Sequence, residues 1–119
     1  MDNQHQLIKG YRDLSAEEIA LINEIKAHAQ ATQDLIMKVE LHTHAQFKAT
    51  QPVYKEPETE AEEMFGTGLA DTPEEMDRKD IEGKRLEAAQ PFRWTGIAKT
   101  NIQQGYMALI RSVAQPEGF

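Results

Sequence analysis

Cysteine is absent from all 119 residues, which removes disulfides, thiolate nucleophiles and cysteine-held zinc together. There is also no run of about 18 apolar residues, so no membrane span is expected. The opening Met1-Asp2-Asn3-Gln4-His5 lacks the basic-then-apolar pattern of a secretory leader, and a cytoplasmic protein is the simple reading. Positive charge is scarce. Thirteen Lys and Arg stand against twenty Asp and Glu, a formal net charge of −7. A protein that tracks a nucleic acid backbone neutralises many phosphates with a basic stripe, so polymeric nucleic acid is excluded as a partner. A small anion with two or three phosphates is not excluded, because a few well-placed cations suffice for it. No Gly-x-Ser-x-Gly elbow or Walker loop is present, and Ser15 and Ser112 have structural uses, so no enzyme is expected.

What remains is a one-domain length with 39% hydrophobic residues and 28% charged. That is a modest supply of core, and it predicts either segments outside the core or a core completed by other subunits. Ser15-Ala16-Glu17-Glu18 is a capping box, in which the serine hydroxyl takes the Glu18 amide and the Glu18 carboxylate returns to Ser15. Leu14 and Ile19 stand as a hydrophobic staple around it. Ile22, Ile25, Ala29, Thr32, Ile36 and Val39 then recur at steps of three and four, predicting a helix over about 15–45. Between Val39 and Phe47 the apolar residues also alternate, so a short strand near 39–47 competes with continued helix.

Pro52, Pro57 and the acidic run from Glu56 to Glu63 predict a mobile connection over about 48–71. Thr72-Pro73-Glu74-Glu75 is a second capping box and opens a polar helix over about 72–89. A final helix is expected over about 91–114, with Trp94, Ala98, Ile102, Tyr106, Leu109 and Val113 on its apolar stripe. Gly96, Gly105, Ala108 and Ser112 keep that helix thin. A glycine inside a helix costs about 1 kcal/mol, which close helix packing must offset. The fold class is therefore mainly α, a helical hairpin or small bundle in a single domain with an irregular acidic connection.

Metal and calcium chemistry find little support. His42 and His44 share a face only on a strand, and neither they nor His28 are followed by a third ligand at a fixed spacing. The glutamate run lacks the Asp, Asn and Gly pattern of a calcium loop and reads as a solvated acidic tether. No cofactor is expected.

Gly10-Tyr11-Arg12-Asp13-Leu14-Ser15, then Asn23-Glu24-Ile25-Lys26, and the terminal stretch Arg93-Trp94-Thr95-Gly96-Ile97-Ala98-Lys99-Thr100 through Met107 to Pro116 together resemble the phage anti-CBASS cyclic-nucleotide sponges. The related anti-Thoeris sponges share the helical hairpin. The resemblance covers about residues 7–40 and 88–119, with the terminal block the more specific. It implies a homo-oligomer, a hexamer, acting in the host bacterial cytoplasm. It also implies that cyclic dinucleotides, and in separate pockets cyclic trinucleotides, are sequestered without being degraded.

Tyr11 then matches a base-stacking tyrosine and Lys26 a phosphate-contacting lysine, with Arg12 as a helper. Arg93 matches an arginine for trinucleotide phosphates, with Lys99 and Thr100 following it. From the residues alone each has a plainer reading: Tyr11 packs over a first helical turn, Lys26 is a solvated lysine, and Arg93 pairs with a neighbour such as Glu87. Residues 48–80 look longer and more acidic than the resemblance leads one to expect. The strand alternative near 39–47 keeps open an anti-Thoeris-like sponge for a cyclised ADP-ribose. A structural or adaptor oligomer that displays its acidic segment to a partner is the reading from another class.

Overall fold

The computed structural model describes residues 12–117, so Tyr11 lies outside the described residues. Among the described residues four helices follow one another: α1 (Ala16–Ala49), α2 (Glu60–Phe65), α3 (Pro73–Ala89) and α4 (Pro91–Ala114). The protein is mainly α, and its two long helices form a hairpin. It divides into two compact units. One takes residues up to Lys38 and from Thr95 onward, the other Val39–Trp94.

In the first unit the chain enters through the Ser15 box. Ser15 N donates to Glu18 Oε1 at 3.0 Å and Glu18 N donates to Ser15 Oγ at 3.1 Å, satisfying two amides that a helix start leaves orphaned. Leu14 beside it is buried. The α1 part of this unit faces the α4 part through Tyr106, whose Oη lies 2.9 Å from His28 Nδ1 and 2.6 Å from Thr32 Oγ1. The half-buried stripe on α1 runs through Ile22, Ile25, Ala29, Thr32 and Ile36. On α4 it runs through Ala98, Ile102, Tyr106, Ile110 and Val113. Trp94 and Leu109, expected on that stripe, are instead exposed. Steps of four from Ala98 reach Ile110, and the covered face follows that row rather than the neighbouring one.

The second unit settles the strand question. Residues 39–47 are helical. Thr43 and Phe47, one turn apart, point inward, whereas Val39 and Leu41 are exposed. Thr43 Oγ1 donates back to the Val39 carbonyl at 3.1 Å, a bond that only the helical repeat permits. Phe92 stacks on Phe47 with centroids 5.4 Å apart and tilts against His44 at 4.7 Å. Leu86 of α3 is the most deeply buried of the core side chains among the described residues, 2% exposed.

The acidic connection also differs from a bare tether. It contains α2, capped by Thr59 through a bond from Glu62 N and closed at Gly66, whose φ of 89° suits glycine. An antiparallel bridge joins Tyr54 to Leu69. Lys55 N donates to Gly68 O at 2.9 Å, Ala70 N to Val53 O at 2.7 Å, and the Thr67 hydroxyl to Lys55 O. The Thr59-x-x-Glu62 cap and these backbone bonds order a stretch whose composition alone reads as solvated.

Asp71 then fastens this loop to α3. It accepts from Val53 N at 3.0 Å and from Lys79 Nζ at 2.9 and 3.0 Å, and Lys79 also donates to Gln51 O. The Val53 amide first, then Lys79, hold the Asp71 carboxyl below its ordinary pKa. Between α3 and α4 the turn is a single residue, Gln90, in the left-handed conformation with φ 50° and its amide on Leu86 O. Pro91 follows and starts α4.

Candidate functional site

A protein that holds phosphorylated ligands needs cations whose own partners leave them available. Arg12, Lys26 and Arg93, three of the candidate cations among the described residues, differ sharply in this respect. Arg12 is committed locally. Both of its terminal nitrogens donate to the Glu18 carboxylate, and Nη2 also donates to the Val113 carbonyl at 3.0 Å. That carbonyl belongs to the last turn of α4, where four carbonyls lack helical partners. Arg12 therefore joins the start of α1 to the end of α4 and favours the negative end of the α4 dipole. The same contact holds Glu18 at about 2, chiefly by the Arg12 hydrogen bond and next by the Ser15 amide. Arg12 Nε is buried without a partner. This is a clamp with a structural task, and it was not visible from a sequence separation of 101 residues.

Lys26 is exposed on α1, eight residues beyond Glu18, or about 12 Å along the axis at 1.5 Å per residue. Its ammonium makes no ion pair among the described residues. The structure does not bring it to Arg12.

Arg93 lies in the first turn of α4 and is exposed. Its Nη1 donates to Gln90 Oε1 at 3.0 Å, and its guanidinium sits 5.8 Å from the centroid of the Trp94 ring. The neighbour that steers Arg93 is thus the neutral Gln90 rather than Glu87. Its charge is left uncompensated by a carboxylate in that contact. Trp94 is exposed and is the chain's single tryptophan. Gln90 escaped the reading of the sequence, although a glutamine three residues before an arginine at a helix start is a readable spacing. Lys99 and Thr100 stand further along α4, both exposed.

The histidines have found neighbours of their own. His28 is bonded to Tyr106 and His44 packs on Phe92, so neither is simply solvated. Among the described residues no group of three or more His, Asp and Glu is arranged to hold a metal. A groove of about 400 Å³ in the second unit, lined by Leu69, Met76, Lys79, Gly83 and Lys84 among others, contains none of the candidate residues. Another of about 340 Å³, between Met107, Ile110 and Pro116 in the first unit, contains none either. Among the described residues, no helix is long and apolar enough to cross a membrane.

Comparison with known proteins gives two findings. The model of the Acb2/Tad1 hairpin domain matches residues 3–114. Anti-CBASS protein 2 of Pseudomonas phage JBD67 is 40% identical over 119 residues, covering 99% of each chain.

Proposed function

Because this chain belongs to the Acb2/Tad1 hairpin family, we propose that it is a phage counter-defence protein that captures cyclic oligonucleotide signals inside the infected cell and leaves them intact. The observation that carries this reading is the 40% likeness to an anti-CBASS protein along 99% of both chains, the acidic middle included. Tyr11 and Lys26 contribute a stacking ring and a phosphate contact to a cyclic dinucleotide site. A base stacked on an aromatic ring gains about 1–3 kcal/mol. Arg12 supports that site by fixing the chain next to Tyr11 rather than by touching the ligand. Arg93, with Lys99 and Thr100 on the same helix, serves cyclic trinucleotide phosphates. Three copies of one arginine around an axis supply three cations for three phosphates.

A site of that kind needs a homo-oligomer, and the hexamer is the assembly proposed. The thin core of one chain supports it. Leu14, Leu86 and Ala114 are its buried hydrophobics among the described residues, while Leu21, Leu35, Trp94, Met107 and Leu109 are among the exposed ones. Exposed apolar surface of this extent fits subunit contact. The helical course of 39–47 removes the strand that had favoured a cyclised ADP-ribose sponge, and a parallel titration with cyclised ADP-ribose tests that alternative.

The test is direct. Purified protein is titrated calorimetrically with a cyclic dinucleotide and a cyclic trinucleotide, then heated, and the supernatant is chromatographed. Intact nucleotide after measurable binding is the expected result. A linear product would make the protein an enzyme, and absence of binding would leave the adaptor reading. Light scattering that shows a monomer at micromolar concentration would remove the threefold site.

A further inference from the structure

The loop between the Tyr54–Leu69 bridge partners is closed by polar links. The bridge itself, the Thr67 hydroxyl on Lys55 O and the Asp71–Lys79 clasp hold it. Loops of this kind ordinarily pack on their own side chains and are frequently functional. This one does not use its large apolar residues for packing. Val53 is 53% exposed, Tyr54 60%, Met64 71% and Phe65 85%. Between them in the sequence lie Glu56, Glu58, Glu60, Glu62 and Glu63, with Lys55 the one cation of the segment. Four large apolar side chains left exposed by an ordered backbone, in a segment that also carries five glutamates, offer a surface to something outside the loop.

We propose that residues 53–69 are a docking surface for a protein partner whose apolar centre is rimmed by lysine and arginine. Charge selects the occupant. Nucleic acid and anionic lipid are repelled by five glutamates, and the same face of a second copy would set those glutamates against their counterparts in a chain already at −7. A basic rim gains attraction at the edge while Met64 and Phe65 fill the centre, the usual division of labour in an interface. This inference goes beyond nucleotide capture and stands or falls separately from it.

The probe is a labelled amphipathic helical peptide of leucine and lysine, followed by fluorescence anisotropy, with a leucine–glutamate peptide as its charge-reversed control. Wild-type protein should bind the cationic peptide, weakening as salt rises, and ignore the anionic one. The double variant Met64→Ser, Phe65→Ser should lose at least about tenfold in affinity, the scale of a contact hot spot. Glu60→Gln, Glu62→Gln and Glu63→Gln together should weaken binding and flatten its salt dependence. Both variants change exposed positions, and unaltered circular dichroism confirms that they fold. Met37→Ser, an exposed site in the other unit, should bind as wild type does. The proposal is overturned if the double variant binds like wild type, if Met37→Ser loses as much, or if the anionic peptide binds equally. A lower mass of the double variant by light scattering would also overturn it, because a second copy would then cover the loop.

Discussion

Leu86 gives the sharpest test of how this chain stabilises itself. Its side chain is 2% exposed on α3, in a molecule where few side chains are buried at all. Leu86→Ala removes most of that side chain and leaves a void. Such substitutions cost about 2–5 kcal/mol, the lower figures applying where neighbours can collapse into the gap. Few buried neighbours surround this site, so about 2–3 kcal/mol is expected. Unfolding entropy near 2.1 cal/mol/K per residue gives about 0.25 kcal/mol/K for a chain of this length. The melting temperature should therefore fall by about 8–12 °C. Ile81→Ala, on the same helix but 63% exposed, is the control and should lower it by no more than about 2 °C. Scanning fluorimetry or calorimetry at one fixed protein concentration makes the comparison, since oligomer stability depends on concentration. Equal losses in the two variants would refute the reasoning, because burial within one chain would then not decide stability.

Three further outcomes follow from the contacts described. Tyr106→Phe keeps the ring but loses the hydroxyl shared with His28 and Thr32, which should cost about 1–2 kcal/mol. A melting temperature unmoved within 1 °C would dismiss that network as a stabilising feature. Glu18 is lowered from 4.5 to about 2 and Asp71 is also lowered, so their stabilisation is present above the unfolded pKa and lost as pH falls through the folded one. Stability should drop between about pH 4.5 and 2, and Glu18→Gln should flatten that slope; an unchanged slope would speak against the Arg12 clamp. For the ligands, Arg93→Ala should lose cyclic trinucleotide and keep cyclic dinucleotide, and Tyr11→Ala and Lys26→Ala the reverse. Displacement of one ligand by the other in a calorimetric competition would show a single pocket and remove the assignment of Arg93.

How much of this was legible beforehand depended on distance along the chain. The boxes at Ser15 and Thr72 were readable because cap and partner lie three residues apart; at Ser15 both bonds form, and at Thr72 the hydroxyl takes the Glu75 amide. Thr59 and Glu62 have the same spacing, yet their cap was masked by the glutamates around it. The Asp71–Lys79 clasp, the Arg12 bond to the α4 terminus and the Tyr106 network join residues that local pattern does not connect. The helix at 39–47 was ambiguous because both periods fit it, and Thr43 decided the matter by bonding within the helix. On α4, two apolar rows lie one residue apart, and which one is covered depends on a facing helix rather than on α4 itself. For the candidate site, residue type suggested Lys26 and Arg93, but not that Arg12 is spent on structure or that Gln90 steers Arg93.

Gln90 sets one residue two conflicting demands. Its backbone sits at φ 50°, where a residue with a Cβ is strained by about 1 kcal/mol or more and glycine is at ease. Its side chain meanwhile holds the Arg93 guanidinium. Gln90→Gly would relax the turn and make the protein harder to melt, while freeing Arg93 to sample rotamers that a phosphate would have to restrict again. Gln90→Asn would tolerate the backbone but is one methylene too short to keep the same reach. If Arg93 holds phosphate as proposed, a selection for thermal resistance and a selection for tight capture would thus drive this position in opposite directions.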